Sequence, residues 1–334
     1  MKILAIRRPL LRAKNLRVAT AGCAAAALCA VTSAPAVAEG GTSGTKPTIV
    51  LVHGAFADGS SWNGVIERLE RRGYTVMAPS NPLRGLYSDS AYIASVLKSV
   101  KGPIVLAGHS YGGAVISTAA AGNPQVKALV YIAAMMPDVG ESGMQLSARF
   151  PSALGTATNS VPYRTANTSG TDLYIKRDKV RPVFAACLPE SQAKLVAATQ
   201  RPVATTAFSE PAKVAAWKDI PSWALVARQD MAINPELERF EAKRAQSHTV
   251  EIDSCHVALI AQPDAVADLI LHGATAAGSA PQTTNPQAAN PQMASTGGGG
   301  GTKRAGVLGA ASAAFLAAGG AVFLLGRRAR RHTH

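Results

Sequence analysis

Residues 103–113 read Pro-Ile-Val-Leu-Ala-Gly-His-Ser-Tyr-Gly-Gly: a short apolar run without polar alternation, then the pentapeptide Gly108-His109-Ser110-Tyr111-Gly112. The run predicts a strand buried on both faces, and Ser110–Ala121 predicts a helix. A strand that turns directly into a helix at Gly-x-Ser-x-Gly holds the serine on a tight elbow, its hydroxyl clear of the sheet. Gly108 and Gly112 suit that turn because a Cβ two residues before or after the serine would crowd it. The following helix directs its first amides, and the positive end of its dipole, at negative charge developing beside the serine.

The same alternation recurs outward from this turn. Thr48–Val52 is another apolar, β-branched run, and residues 61–72 place Trp62, Val65, Ile66 and Leu69 at helical spacing until Gly73 stops them. Tyr74–Ala78 predicts a strand, Tyr92 to Val100 a helix ended by Gly102, and Val126–Ala133 a further strand. Over about 135–221 the period lapses among scattered apolar residues and prolines. It resumes with a strand at Trp223–Val226, a helix at Pro235–Ala245 capped by Asn234, a strand at Thr249–Ile252 and a last helix at Asp264–Leu271. The expectation is an α/β fold: a mostly parallel, doubly wound sheet with helices on both faces, and an inserted lid segment (about 135–221) over the carboxyl ends of the strands.

A serine hydroxyl needs a base, and the base needs a third group to fix its tautomer. Of seven histidines, His332 and His334 belong to the tail, while His53 and His109 sit in glycine turns whose neighbours look more critical than their rings. His248 precedes a strand and His272 ends the last helix. His256 alone follows a late strand and precedes a helix, in Asp253-Ser254-Cys255-His256-Val257, and is the candidate base. Asp230, after the strand Trp223–Val226, is the candidate orienting acid; Asp138 competes, and Asp253 lies too near His256 along the chain. The His-Gly turn after the first strand brings the amide of Ala55, or of Phe56, towards that of Tyr111 to form an oxyanion hole, one donor of which contributes roughly 2.7–4 kcal/mol.

The two ends of the chain read as addresses. Residues 1–38 hold six Lys or Arg and no acid, followed by the apolar run Val18–Val31 and Ala36-Val37-Ala38: the pattern of a secretory signal peptide. Arg7-Arg8-Pro9-Leu10-Leu11 also resembles a twin-arginine signal, and Sec and Tat export both stay open. Ala305–Gly326 carries no charge over 22 residues, about 33 Å as a helix, and the basic tail 327–334 follows, which predicts a single transmembrane helix with its tail in the cytoplasm. Met293-Ala294-Ser295-Thr296-Gly297 resembles a sortase-processed cell-wall sorting signal of the Leu-Ala-x-Thr-Gly kind, with Met293 in place of Leu. Residues 273–304 read as a disordered Pro/Gln/Gly-rich stalk and 39–46 as a short linker.

The formal charge of +14 therefore resides at the ends, since residues 303–334 hold another six cations and no acid, and the middle is nearly balanced. This argues against nucleic acid as a partner. Cys23 and Cys29 leave with the signal, so Cys187 and Cys255 remain as an even pair in an oxidising compartment. That favours a disulfide, with two separate buried thiols as the alternative. No ligand cluster with metal spacing is visible, and the chemistry requires no cofactor.

His-Gly-Ala-Phe-Ala-Asp-Gly-Ser-Ser-Trp at 53–62, Gly-His-Ser-Tyr-Gly-Gly at 108–113, Asp230 and His256 together resemble the α/β-hydrolase superfamily, in its small serine esterase and hydroxynitrile-lyase-like branch. The resemblance covers about residues 47–272, and the order Ser110, Asp230, His256 is the family's nucleophile–acid–base order. It departs at Cys187 and Cys255, which fits a bridge tying the lid to the histidine loop. It implies a serine hydrolase that acts on small-molecule carboxylic esters; with the two chain ends, the reading is an exported, surface-anchored enzyme, held to the cell wall by a sortase or to the membrane by its helix. Phe56, Met144, Phe150, Leu173 and Phe184 are candidates to line the pocket. Lyase-type acid/base chemistry on the same residues and a non-catalytic wall-displayed binding module are the alternatives.

Overall fold

Apolar strands without polar alternation require cover on both faces, and the structure supplies it. The computed structural model describes residues 45–279. The predicted signal peptide, nearly all of the 39–46 linker, the sorting motif at Met293, Thr296 and Gly297, the 305–326 span and the 327–334 tail lie outside the described residues. No helix among the described residues is long and apolar enough to cross a membrane.

The strands among them are β1 (Thr48–Val52), β2 (Val76–Met77), β3 (Ile104–His109), β4 (Val126–Ile132), β5 (Thr158–Arg164), β6 (Ser169–Ile175), β7 (Val203–Ala204), β8 (Ser222–Ala227) and β9 (His248–Ile252). Six of them form a sheet in the order β2-β1-β3-β4-β8-β9, every pair parallel. Every residue of β3 and β8 is buried, while β9, at the edge, is largely exposed. The pairings Val52 with Gly108, His109 with Ile132, Ile132 with Leu225 and Ala227 with Ile252 bring the carboxyl ends of β1, β3, β4, β8 and β9 level. Each loop that carries a candidate residue leaves from that edge.

Helices α1 (Asn63–Arg71), α2 (Leu86–Ser99) and α3 (Tyr111–Ala119) follow β1, β2 and β3 as the alternation requires. Helix α2 begins at Leu86, well before the first apolar residue of the periodic stretch. Its early buried positions include Asp89 and Ser90, which hid the helical period. Asp89 accepts the backbone amide of Arg84 and the hydroxyl of Tyr111 (2.8 Å), so a carboxyl occupies what periodicity reads as a polar face.

Two expectations are corrected. The last helix runs Pro263–Ser279, so the segment from Gly273 to Ser279 is helix and not the start of the stalk. Its small residues are a packing surface: Ala274 and Ala277 are buried, and a Cβ on Gly273 would lie 3.2 Å from Val130 Cγ2. His272 accordingly lies within this helix and not at its end. The insertion, read as aperiodic, contains several helices and the antiparallel sheet β5-β6-β7. Its outer strand β5 is mostly exposed and carries Pro162, which an edge strand tolerates, so neither alternation nor an apolar run marked it.

The insertion is fastened at its neck and along its length. Gly140 N donates to Ala212 O, Ala212 N to Glu141 O, and Trp217 Nε1 to Pro137 O, tying its two ends together. Arg84 bonds Asp172 (2.8 Å) and the carbonyl of Pro202.

Candidate active site

Ser110 joins β3 to α3 with φ 55° and ψ −126°, a backbone conformation that a non-glycine residue adopts only when its surroundings impose it. The surroundings are specific. A Cβ on Gly108 would lie 2.6 Å from Gly112 O, and one on Gly112 would lie 2.5 Å from Val52 O. The main chain of Ser110 is held as well: its amide donates to Ile132 O, and its carbonyl accepts the amides of Gly113 and Met135.

The three candidate residues meet. His256 Nε2 lies 2.9 Å from Ser110 Oγ, and His256 Nδ1 lies 2.5 Å from Asp230 Oδ2. Asp230 is held from its other side, where Oδ1 accepts the amides of Ala232 (2.7 Å) and Ile233 (2.9 Å). With Nδ1–H donating to the carboxylate, Nε2 is free to accept the serine proton. All three residues are buried: Ser110 is 7 % exposed, Asp230 3 % and His256 1 %. The competitors lie elsewhere, Asp138 against Lys218 and Asp253 against Arg228.

Beside the serine runs the turn after β1. A Cβ on Gly54 would lie 2.7 Å from Ser110 Cβ, so the turn passes in direct contact with Ser110, and Ala55 and Phe56 follow it, both buried. Phe56 has φ 62°, a second strained residue at the same spot. Tyr111 opens α3, where the first amides have no carbonyl one turn back.

The rings of His53 and His109, passed over in the sequence, are structural parts of the site. His53 Nε2 accepts the amide of Asn81 (2.9 Å), and its Nδ1–H donates to Gly54 O, pinning the turn after β1 to the chain after β2. His109 Nε2 donates to the carbonyl of His256 (3.0 Å), fixing the backbone of the candidate base. Burial lowers the basicity of both rings, of His109 well below the usual histidine range, and each stays neutral. No sequence spacing signals the bonds of His53 to Asn81 and of His109 to His256, because each joins segments that leave different strands.

The insertion touches each loop that carries a candidate residue. Cys187 forms a disulfide with Cys255, next to His256. Ser152 and Ala153 bond the carbonyls of Ala232 and Met231, and the amide of Arg201 donates to Phe56 O. The Phe184 ring lies 4.9 Å from that of His256 and 6.1 Å from that of Phe56. A cavity of about 480 Å³ is lined by Phe56, His109, Phe184, Leu195 and Val257 among others; it borders the sequence neighbours of Ser110 and His256, and none of Ser110, Asp230 and His256 lines it directly. Of the five pocket candidates, Phe56 and Phe184 line it. Met144 is instead exposed, Phe150 stacks on Phe240, and Leu173 pairs in β6 with β7.

Comparison with known proteins agrees with this fold. The family model described as "Alpha/beta hydrolase family" matches residues 49–269. The chain is 27 % identical over 253 residues to the Alpha/beta hydrolase nvfD of Aspergillus novofumigatus, which covers 69 % of this chain and 97 % of that protein. It is 32 % identical over 110 residues to the Carbendazim hydrolyzing esterase of a Nocardioides species, covering 29 % of this chain and 46 % of that one. The crystal structure of polyneuridine aldehyde esterase superposes with a TM-score of 0.60 at 19 % identity, over 68 % of this chain and 98 % of that one.

Proposed function

The chain belongs to the Alpha/beta hydrolase family, and on that premise we propose that it is an exported, surface-anchored serine hydrolase of small carboxylic esters. The hydrogen-bonded series Ser110 Oγ, His256 and Asp230 carries this reading. Ser110 attacks the ester carbonyl as its proton passes to His256 Nε2. Asp230 holds the ring in the required tautomer and stabilises the imidazolium that forms. The amides of Tyr111 and of Ala55, with Phe56 as its neighbour on the same turn, receive the negative oxygen of the tetrahedral intermediate. His256 returns the proton to the departing alkoxide, leaving an acyl group on Ser110. Water, activated by the same imidazole, then releases the acid.

Ester substrates are favoured by the relative named an esterase. Export is supported by the N-terminal pattern and by the disulfide between Cys187 and Cys255, a bond typical of oxidising compartments. Anchorage, by sortase transfer at Thr296 or by the 305–326 span, rests on the C-terminal sequence alone. An alkyl-phosphonate probe tests the chemistry: covalent labelling at Ser110 that disappears in His256→Ala supports the hydrolase, and no labelling of folded protein overturns it. Mass spectrometry of wall-digested material tests the anchor: a C-terminus at Thr296 supports cell-wall linkage, and detergent-extracted protein that retains 305–326 replaces it with a membrane tail.

A further inference from the structure

Glu238 lies in the helix Pro235–Arg244 and is buried beside Asp230. Its Oε2 accepts the amide of Ala227, the last residue of β8, at 3.0 Å. Its Oε1 is enclosed, and no donor of the protein reaches it. The charged groups that face it are both carboxyls: Asp230 from the loop after β8, and Glu241 from the same helix. Among the described residues it forms no ion pair.

Two ionised carboxylates side by side, away from water and without a cation, carry a prohibitive electrostatic cost, so one of them holds a proton. Asp230 is not that one. Its Oδ1 accepts two amides and its Oδ2 faces the imidazole N–H, three donors that favour the charged form. Glu238 has one donor and one vacant oxygen.

We propose that Glu238 is a neutral carboxylic acid and a positioning residue, its Oε1–H donating to the carboxylate of Asp230 and holding that group ionised and aimed at His256. The otherwise orphaned oxygen then has a partner. Burial and the charge of Asp230 both push the Glu238 carboxyl well above the ordinary carboxylate range, in the same direction. The helix Pro235–Arg244 thus fastens two parts of the site with one side chain, the end of β8 through Ala227 and the triad acid through the proton.

The proposal rests on the catalytic reading of Ser110, Asp230 and His256, and two measurements separate its failure from the failure of that reading. The first needs no turnover: infrared difference spectra of full-length wild type against Glu238→Gln at pH 7. Loss of a protonated-carboxyl carbonyl band supports the proposal, and loss of carboxylate bands overturns it. The second is the pH profile of p-nitrophenyl acetate hydrolysis. Glu238→Gln keeps an acceptor for Ala227 and a donor for Asp230, so kcat and the acidic limb stay at their wild-type values. If Glu238 is instead ionised, removing its charge moves the acidic limb to lower pH, and the proposal fails. Glu238→Leu, which lacks the donor, lowers kcat about 10- to 100-fold with little change in KM; unchanged kcat in this variant also overturns it. Should Glu238→Leu fail to fold, the infrared comparison decides.

Discussion

Cys187, in the inserted segment, is bonded to Cys255, the residue immediately before His256. A covalent tie thus joins the roof of the site to the loop that carries the base. The bridge spans 68 residues, and a loop of that size contributes roughly 4 kcal/mol on the chain-entropy view. The double variant Cys187→Ala/Cys255→Ala should melt well below wild type, and below its melting point should show a lower kcat than wild type. Thermal melts and ester hydrolysis measured on the same preparations check both. Equal melting temperatures would remove the bridge from the stability account.

Asp230→Asn separates charge from architecture. The asparagine oxygen still accepts the amides of Ala232 and Ile233, so the loop keeps its shape. Its amide then faces His256 Nδ1 and favours the wrong tautomer. A fall of roughly 10⁴-fold in kcat with a nearly unchanged melting temperature is expected, as in other triads. Steady-state kinetics alongside calorimetry reads it.

His109→Phe keeps an aromatic ring, a larger one, and deletes the donor to the carbonyl of His256. A buried carbonyl left without its partner costs about 1–3 kcal/mol. Stability should fall by at least that amount, and kcat should fall, because the base loses its seat. Urea unfolding and a kcat–KM comparison are the measurements.

Glu241 makes stability depend on pH. Its side chain is buried, Oε1 accepts the amide of Met136, and burial pushes its carboxyl from the ordinary range up to about 8. A group more basic when folded than when unfolded favours the folded state fully at low pH, and that contribution fades as pH rises from about 4.5 through about 8. Glu241→Gln stays neutral throughout. Wild type should therefore lose more stability than Glu241→Gln between pH 5 and pH 8, at roughly 2–4 °C of melting temperature per kcal/mol. Parallel curves for the two proteins over that range would contradict the assignment.

Much of this site was legible before any coordinates. Gly108, Ser110 and Gly112 declared the elbow because steric demands there are local, and Asp230 and His256 stood out by their places after late strands. The Asn234 cap and Pro235 marked a helix start that the structure keeps. What escaped notice was non-local or inverted in polarity. The rings of His53 and His109 act across loops, Asp89 and Glu238 are acids on buried helical faces, and the glycine and alanines after His272 pack against β4 and β8 although their composition suits a stalk. The β5–β6 hairpin exposes most of its outer strand, so water and not a core decides that strand's residues.

The inserted segment is riveted to the turn behind Ala55 by Arg201, to the acid's loop by Ser152 and Ala153, and to the base's loop by Cys187, besides its own knotted neck. Such a ceiling cannot swing like a door without pulling on each group that performs the reaction. On the proposed reading, those ties make a fixed roof: selection among esters would then fall to the shape of the space beneath it and not to a hinge.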